Sequence, residues 1–381
     1  MQSNSPENSR FSYFFKTLDK AILTVIKFIL GLVFIFSGFV KLIDPLGFTY
    51  KIDDYLTNFG GLWLNIKYIS FYIAIALSLF EFILGLCFLF HIKLRTTSIL
   101  ALVFMAVMTP LTLYIAIYNP VTDCGCFGDA LIISNWQTFF KNIFITGLIV
   151  VVLILPISKI KVFLSNIENK YILMFFGLGL ALSIYCYNHL PIIDFLPYKK
   201  GVSIPQAMIV PEGMPKDVYE TNFIYEKDGV KKEFTLENYP KGDSSWVFVD
   251  QKTNLISKGY QAPIHDFSIV NAQYDDITQD VIYYEGYSYL LIMYDLNKAS
   301  AEGAKRAEKI YQKYKDSATK FYALTASSDD EIALFKQTNG LSFPFCKTDP
   351  ITLKTIIRAN PGLILIKNGI ITGKWHWKDF E

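Results

Sequence analysis

The residues best equipped for chemistry in this chain lie in one run, Asp123-Cys124-Gly125-Cys126-Phe127-Gly128-Asp129. Two thiols separated by one residue can cycle between dithiol and disulfide, with the thiolate as the attacking species. A bridge between residues two apart closes a very small ring, and Gly125 makes the backbone angles it needs accessible. Strain in such a ring makes it easier to reduce than a structural bridge, which suits an electron or disulfide carrier. Two other readings stand beside this one. The pair could be an inert clip that pins a glycine-rich turn. It could also be part of a metal site, although two thiols and no histidine leave a tetrahedral zinc cage incomplete without outside ligands. We assign no metal ligand set.

A second chemical candidate is Glu81, in Leu79-Phe80-Glu81-Phe82-Ile83. It falls in the middle of an apolar run, where a carboxylate is costly and faces a bundle interior or a cavity. Its functional reading is a proton-linked or quinone-binding site. Its bland reading is a protonated side chain bonded to a neighbouring helix, with Lys41 a partner if the helix offset allows.

Those residues must be positioned by membrane helices. The chain of 381 residues is 52% hydrophobic and 18% charged, a balance that soluble domains rarely show. The apolar residues are concentrated between positions 20 and 190. Five runs are long enough to cross hydrocarbon, at residues 21–43, 68–90, 96–118, 139–156 and 171–189. The first is too long for a cleavable signal and reads as a signal anchor. Gly31, Ser37 and Gly38 read as close-packing residues, and Pro110 as a kink in the third run.

Lysine and arginine placement gives the topology. Arg10, Lys16 and Lys20 precede the first run, Lys93 and Arg95 separate the second from the third, and Lys159, Lys161 and Lys170 separate the fourth from the fifth. The cysteine loop has none. The N-terminus is therefore expected in the cytoplasm, with the cysteine loop and C-terminal domain outside. In a Gram-negative bacterium that means an inner-membrane protein with a periplasmic domain, where disulfides form. A net charge of +2 and the lack of a long basic tract give no sign of nucleic-acid binding.

Beyond residue 198 the composition is that of a soluble domain. An Asp228-Gly229 turn predicts a hairpin over 222–235, and 245–257 reads as a second strand pair. From Tyr287 strands and helices alternate: strands at 289–295 and 320–325, helices at 301–315, 329–338 and 353–358, then a hairpin over 363–377 turning at Asn368-Gly369. The expected fold is a membrane all-α helical bundle of about five transmembrane helices plus a soluble α/β domain with preceding β-hairpins. Its parts are a cytoplasmic arm (1–20), a four-helix membrane domain (21–157), a fifth transmembrane helix (158–190), a β-rich connecting region (191–259) and the α/β domain (260–381).

The first helix, from Gly31 through Ser37-Gly38 to Lys41 and Asp44-Pro45, resembles the opening of the DoxX family, and the Cys124-Gly125-Cys126-Phe127-Gly128 loop resembles its MauE branch, named for methylamine utilisation. The resemblance covers residues 20–157. It implies a thiol-redox or assembly role in the maturation of periplasmic disulfide proteins; the reading of the residues adds Cys124 and Cys126 as the working pair and a possible quinone near Glu81. It does not carry methylamine over as a substrate.

The order of elements from about 260 to 378 resembles the thioredoxin-like fold of the TlpA and peroxiredoxin kind. In that comparison Pro361 takes the place of the cis-proline, so Asn360–Pro361 is implied to be cis and to face a bound partner, a periplasmic client or redox protein. The departure is at Asn297-Lys298-Ala299-Ser300, where that family carries its Cys-x-x-Cys and this chain has no thiol. Cys346, the one cysteine of the soluble part, is either a partner for Cys124 or Cys126 or a buried unreactive thiol. Cys186, near the outer end of the fifth run, is another candidate partner. The two competing functions are a thiol–disulfide oxidoreductase and a non-catalytic scaffold with a structural disulfide.

Overall fold

The computed structural model describes residues 6–121, 123–154, 165–215, 218–257 and 259–380. Lys159 and Lys161, used above for topology, lie outside them. Among the described residues, five helical segments are long and apolar enough to cross a membrane, Lys20–Ile43, Trp63–Leu89, Leu94–Tyr118, Asn135–Ile154 and Ile167–Asn188. They belong to helices α1 (Pro6–Ile43), α3 (Ser70–Leu89), α4 (Leu94–Tyr118), α5 (Asn135–Ile154) and α6 (Ser165–Asn188), with α2 (Pro45–Phe59) between the first two. The chain is a multi-pass membrane protein. The fourth span starts four residues before the expected one because polar Asn135 and Gln137 open the helix, with Ser134 bonded to Gln137 at its start. Large apolar side chains such as Phe28, Val103, Phe144 and Leu173 stay exposed on the bundle surface, as lipid-facing residues do.

Gly31, Gly38 and Gly85 let α1 and α3 approach closely. A Cβ on Gly38 would stand 2.4 Å from the Phe82 backbone nitrogen, and one on Gly85 2.4 Å from that of Ile35. This is the close approach that small residues permit between membrane helices. Leu30, Phe34, Phe88, Ala101 and Ile149 fill the centre of the bundle.

Helix α2 occupies the stretch between the first two apolar runs. Its start is fixed by Pro45 at the first turn and by Asp44, which accepts from the Gly47 nitrogen at 2.8 Å. It buries Thr49, Ile52 and Leu56 on one face. Its mixed Lys51, Asp53 and Asp54 break the apolar run that a membrane scan seeks.

After α6 a short helix α7 (Ile204–Ala207) leads to strands β1 (Val218–Lys227), β2 (Val230–Phe234) and β3 (Val247–Ser257), a sheet in the order β2-β1-β3. The expected hairpin at Asp228-Gly229 is present, both residues having positive φ. The expected second strand pair is instead the single strand β3, paired antiparallel along β1. Next come α8 (Thr278–Ile282), β4 (Tyr287–Ile292), α9 (Ala301–Tyr314), β5 (Lys320–Thr325), α10 (Asp329–Asn339), β6 (Phe345–Lys347), α11 (Pro350–Ile356), β7 (Gly362–Lys367) and β8 (Ile370–His376).

The second sheet has the order β6-β5-β4-β7-β8, with β4, β5 and β6 parallel and β7 and β8 antiparallel to their neighbours. Side chains alternate across β4, so Leu290 and Ile292 enter one core with Leu324 and Leu353 while Leu291 enters another with Ala304 and Phe343. Ser300 caps α9 and Ser328 with Glu331 forms a capping box on α10. The Asn360–Pro361 bond is cis.

Candidate functional site: a thiol pair at the mouth of the bundle

Cys124 and Cys126 lie in the α4–α5 connection, both part-buried, with their sulfurs 3.0 Å apart. Gly125 between them has φ +65°, the left-handed conformation that glycine adopts freely. A turn bond from the Gly128 nitrogen to the Gly125 carbonyl, at 3.1 Å, closes the loop.

The bundle holds this loop from several helices. Tyr55 of α2 donates to the Cys124 carbonyl at 2.7 Å. Lys51, a turn earlier, pairs with Asp123 at 2.7 Å. Ser37 of α1 donates within 2.8 Å of the Cys126 carbonyl and lies 2.6 Å from Glu81 Oε2. Lys41 Nζ completes the cluster, 2.8 Å from both Glu81 oxygens. Lys41 and Glu81 are 5% and 7% exposed at their side chains, so this is a buried ion pair tied through Ser37 to the cysteine loop. The helix offset that the sequence left open brings them together, and the Ser37 hydroxyl has a polar role beyond packing. Serine and lysine four apart on one helix face were the available signal.

The two thiols differ in acidity. Hydrogen bonding from Cys124 lowers Cys126 to about 6; burial opposes this, and Lys141 and Lys41 add to it. Cys124 moves the opposite way, raised by its bond to Cys126 and by burial. Of the two, Cys126 is the more acidic thiol.

Beside the sulfurs a cavity of about 140 Å³ enters the bundle. Phe34, Phe104, Met105 and Ile145 give it apolar walls; Cys126, Glu81 and Lys141 give it a polar end. Lys141 Nζ sits 4.3 Å from the centre of the Phe127 ring. The volume is close to that of an engineered cavity of about 150 Å³ that takes benzene. It has room for one ring.

The C-terminal α/β domain reaches the same loop. Arg358, 8% exposed, pairs with Asp44 at 2.9 Å and with Asp129 at 2.8 Å. Burial works against the guanidinium's charge, yet Asp44 and Asp129 hold its pKa above the ordinary value. Burial raises Asp129, and Arg358 opposes that rise. Nothing in the sequence marked Arg358.

Asn360 lines a groove of about 810 Å³ together with Tyr50, Tyr294, Asn297 and Arg358. Its Nδ2 donates to the Asp295 carbonyl at 2.7 Å, and its own carbonyl accepts from the Ser300 nitrogen at 3.0 Å. Pro361 is buried, with its ring against Gly303. Cys346 lies in β6 inside the domain core, with burial raising its thiol to about 11. Cys87 and Cys186 are buried in α3 and α6. The structure thus brings Cys124, Cys126 and Glu81 together and leaves the other three cysteines apart from them.

Among solved structures, the solution structure of a candidate protein disulfide isomerase from Bacteroides thetaiotaomicron is 16% identical, with a TM-score of 0.25, over 31% of this chain and 77% of that one. Residues 219–258, the β1–β3 sheet, match a family model described only as a domain of unknown function. No curated protein matches the chain. The membrane helices from α1 to α5 match the family model of the methylamine utilisation protein MauE, over residues 19–155.

Proposed function

We propose that this protein is a membrane thiol–disulfide oxidoreductase whose working pair is Cys124 and Cys126. The observation that carries the reading is a thiolate-prone Cys126 touching Cys124 at 3.0 Å, beside a ring-sized cavity. Oxidation of the pair forms the S–S bond and releases two electrons and up to two protons. Lys41 and Lys141 would hold negative charge at the Cys126 end of the cavity, and Glu81 and Ser37 give a polar path from the loop into the bundle. The cavity fits the ring of a quinone and leaves a long tail to lie among the helices or in lipid. A bound quinone would supply a two-electron, two-proton acceptor.

In this reading the cysteine loop and the C-terminal domain face the periplasm of a bacterial inner membrane. Lys93, Arg95 and Lys170 mark the opposite, cytoplasmic end. The β4–α9–β5 and β7–β8 arrangement supports a thioredoxin-like domain that holds a client through the groove at Asn360 and Pro361, and α1 with the cysteine loop supports a place in the DoxX family. A second reading is favoured by one observation: Asn297-Lys298-Ala299-Ser300, at the start of α9, carries no thiol. The domain would then only dock partners, and the Cys124–Cys126 bridge would be structural.

The reduction potential of the pair, measured in detergent by mass-tagging free thiols across redox buffers, separates the two. A reversible couple between about −270 and −120 mV places it among catalytic dithiols. A pair that stays oxidised below about −300 mV is a structural clip, and the carrier reading fails.

A further inference from the structure

We propose that Arg358 of the soluble domain is a positioning residue for the membrane thiol pair, acting on the cysteine loop through Asp129. The inference rests on the thiol reading of that loop. It starts from where Arg358 spends its hydrogen bonds. Nε bonds both Asp44 oxygens, at 2.9 and 3.1 Å, Nη2 bonds Asp129 at 2.8 Å, and Nη1 bonds the Lys354 carbonyl in its own domain. One planar fork therefore ties three parts of the chain: the end of the first span, the cysteine loop and the end of α11.

Both carboxylates lead to the thiols. Asp129 follows Cys126 by three residues, within the turn that begins at Gly128. Asp44 caps α2, and α2 carries Lys51 and Tyr55, which grip the loop at Asp123 and Cys124. Asp44 thus anchors the guanidinium on the α2 side, and Asp129 is the bond by which Arg358 reaches the loop itself. The surroundings are built for it. A Cβ on Gly47 would lie 2.2 Å from an Asp44 oxygen and 2.8 Å from Arg358 Nη2, so only glycine leaves the fork its place. The Tyr50 ring lies against the guanidinium, 5.6 Å from its carbon. A lysine could not replace this geometry, since it lacks a planar fork.

The other groups facing Cys126 all belong to the bundle: Lys41 and Ser37 on α1, Tyr55 on α2, Glu81 on α3 and Lys141 on α5. Arg358 is not among them; its bond to Asp129 links the C-terminal domain to the loop one step away from the sulfurs, so a change in how the domain sits is passed on through Asp129.

The test is a double-mutant cycle in the full-length protein, using R358Q, D129N and both together. The readouts are the alkylation rate of Cys126 against pH and the reduction potential of the pair, with near-ultraviolet circular dichroism confirming the fold. We expect R358Q to change the alkylation rate at pH 7 at least fivefold, and to have less than a twofold effect in the D129N background. An R358Q effect of equal size in both backgrounds, or none in either, overturns the proposal. Should R358Q fail to fold, R358K in the same two backgrounds serves as the cycle, with the same criteria. A wild-type pair that stays oxidised below about −300 mV would sink the oxidoreductase reading, yet leave this cycle interpretable once the bridge is opened with excess dithiothreitol and the freed Cys126 is alkylated.

Discussion

At the scale of single residues the chemistry concentrates on Cys126. Its thiolate is favoured above a pH of about 6, so alkylation should rise about tenfold per pH unit below that value and level off above it. Replacing Cys124 with Ala removes the hydrogen bond that most favours the Cys126 thiolate, and the midpoint of the iodoacetamide rate profile should move upward. A midpoint that stays near 6 would show that the lysines, not Cys124, set it. Beneath the loop, the Lys41–Glu81 pair is buried, so truncating one partner strands a charge at about 3–5 kcal/mol. Lys41→Met and Glu81→Leu should each lower the melting temperature in detergent more than the two together. Cys124 and Cys126 stand out in the sequence by their spacing around Gly125, and Glu81 by its place within an apolar run. Tyr55, Lys51 and Arg358 do not, since each is ordinary for an amphipathic helix or a helix end, and only tertiary contact gives it a role.

At the scale of elements the decisive contact is α1 on α3. Gly38 and Gly85 have no room for a side chain, whereas Gly147 on α5 and Gly177 on α6 have nothing within 4 Å of an added Cβ. Valine at Gly38 or Gly85 should force the helices apart, costing at least the 1–3 kcal/mol typical of overpacking and loosening the Lys41–Glu81 bond. Valine at Gly147 or Gly177 should be tolerated, and equal losses of thermal stability at all four sites would refute this packing account. Five spans were legible from apolar runs alone, as were β5 and the Ser300-capped helix α9. The α2 helix was not, because its charges hide its buried face. Strand β6, only Phe345–Lys347, is too short to carry an alternating pattern and exists because β5 offers it a parallel edge.

At the scale of the molecule, the C-terminal α/β domain is tied to the bundle by Arg358 and by His189, at the end of α6, with Asp379 at 2.6 Å, while Lys374 holds Asp194 of the segment after α6 at 2.5 Å. His376, next to this seam, is held by burial down to about 4, with Asp379 opposing. Its Nδ1 accepts from the Lys378 nitrogen at 3.2 Å, which requires the neutral ring. The unfolded chain takes up this proton near pH 6.5, whereas the folded one resists until about 4. Stability should therefore fall as pH drops from 6.5 toward 4 and level off below. His376→Gln keeps an acceptor without the titration and should flatten that part of the melting curve against pH. An unchanged slope would locate the acid sensitivity elsewhere.

Arg358 and Asp44 are 314 positions apart in the chain. Ribosomes make about 5–20 residues per second, so roughly 15–60 seconds separate the synthesis of the two. Every newly made copy thus passes through an interval in which its thiol loop has been made but Arg358, which bonds Asp129 of that loop, does not yet exist. Oxidation during that interval acts on a looser pair than the finished protein contains. Nascent and mature molecules of the same sequence should therefore differ in how fast the two sulfurs join, a difference that pulse-labelling with timed thiol trapping would resolve.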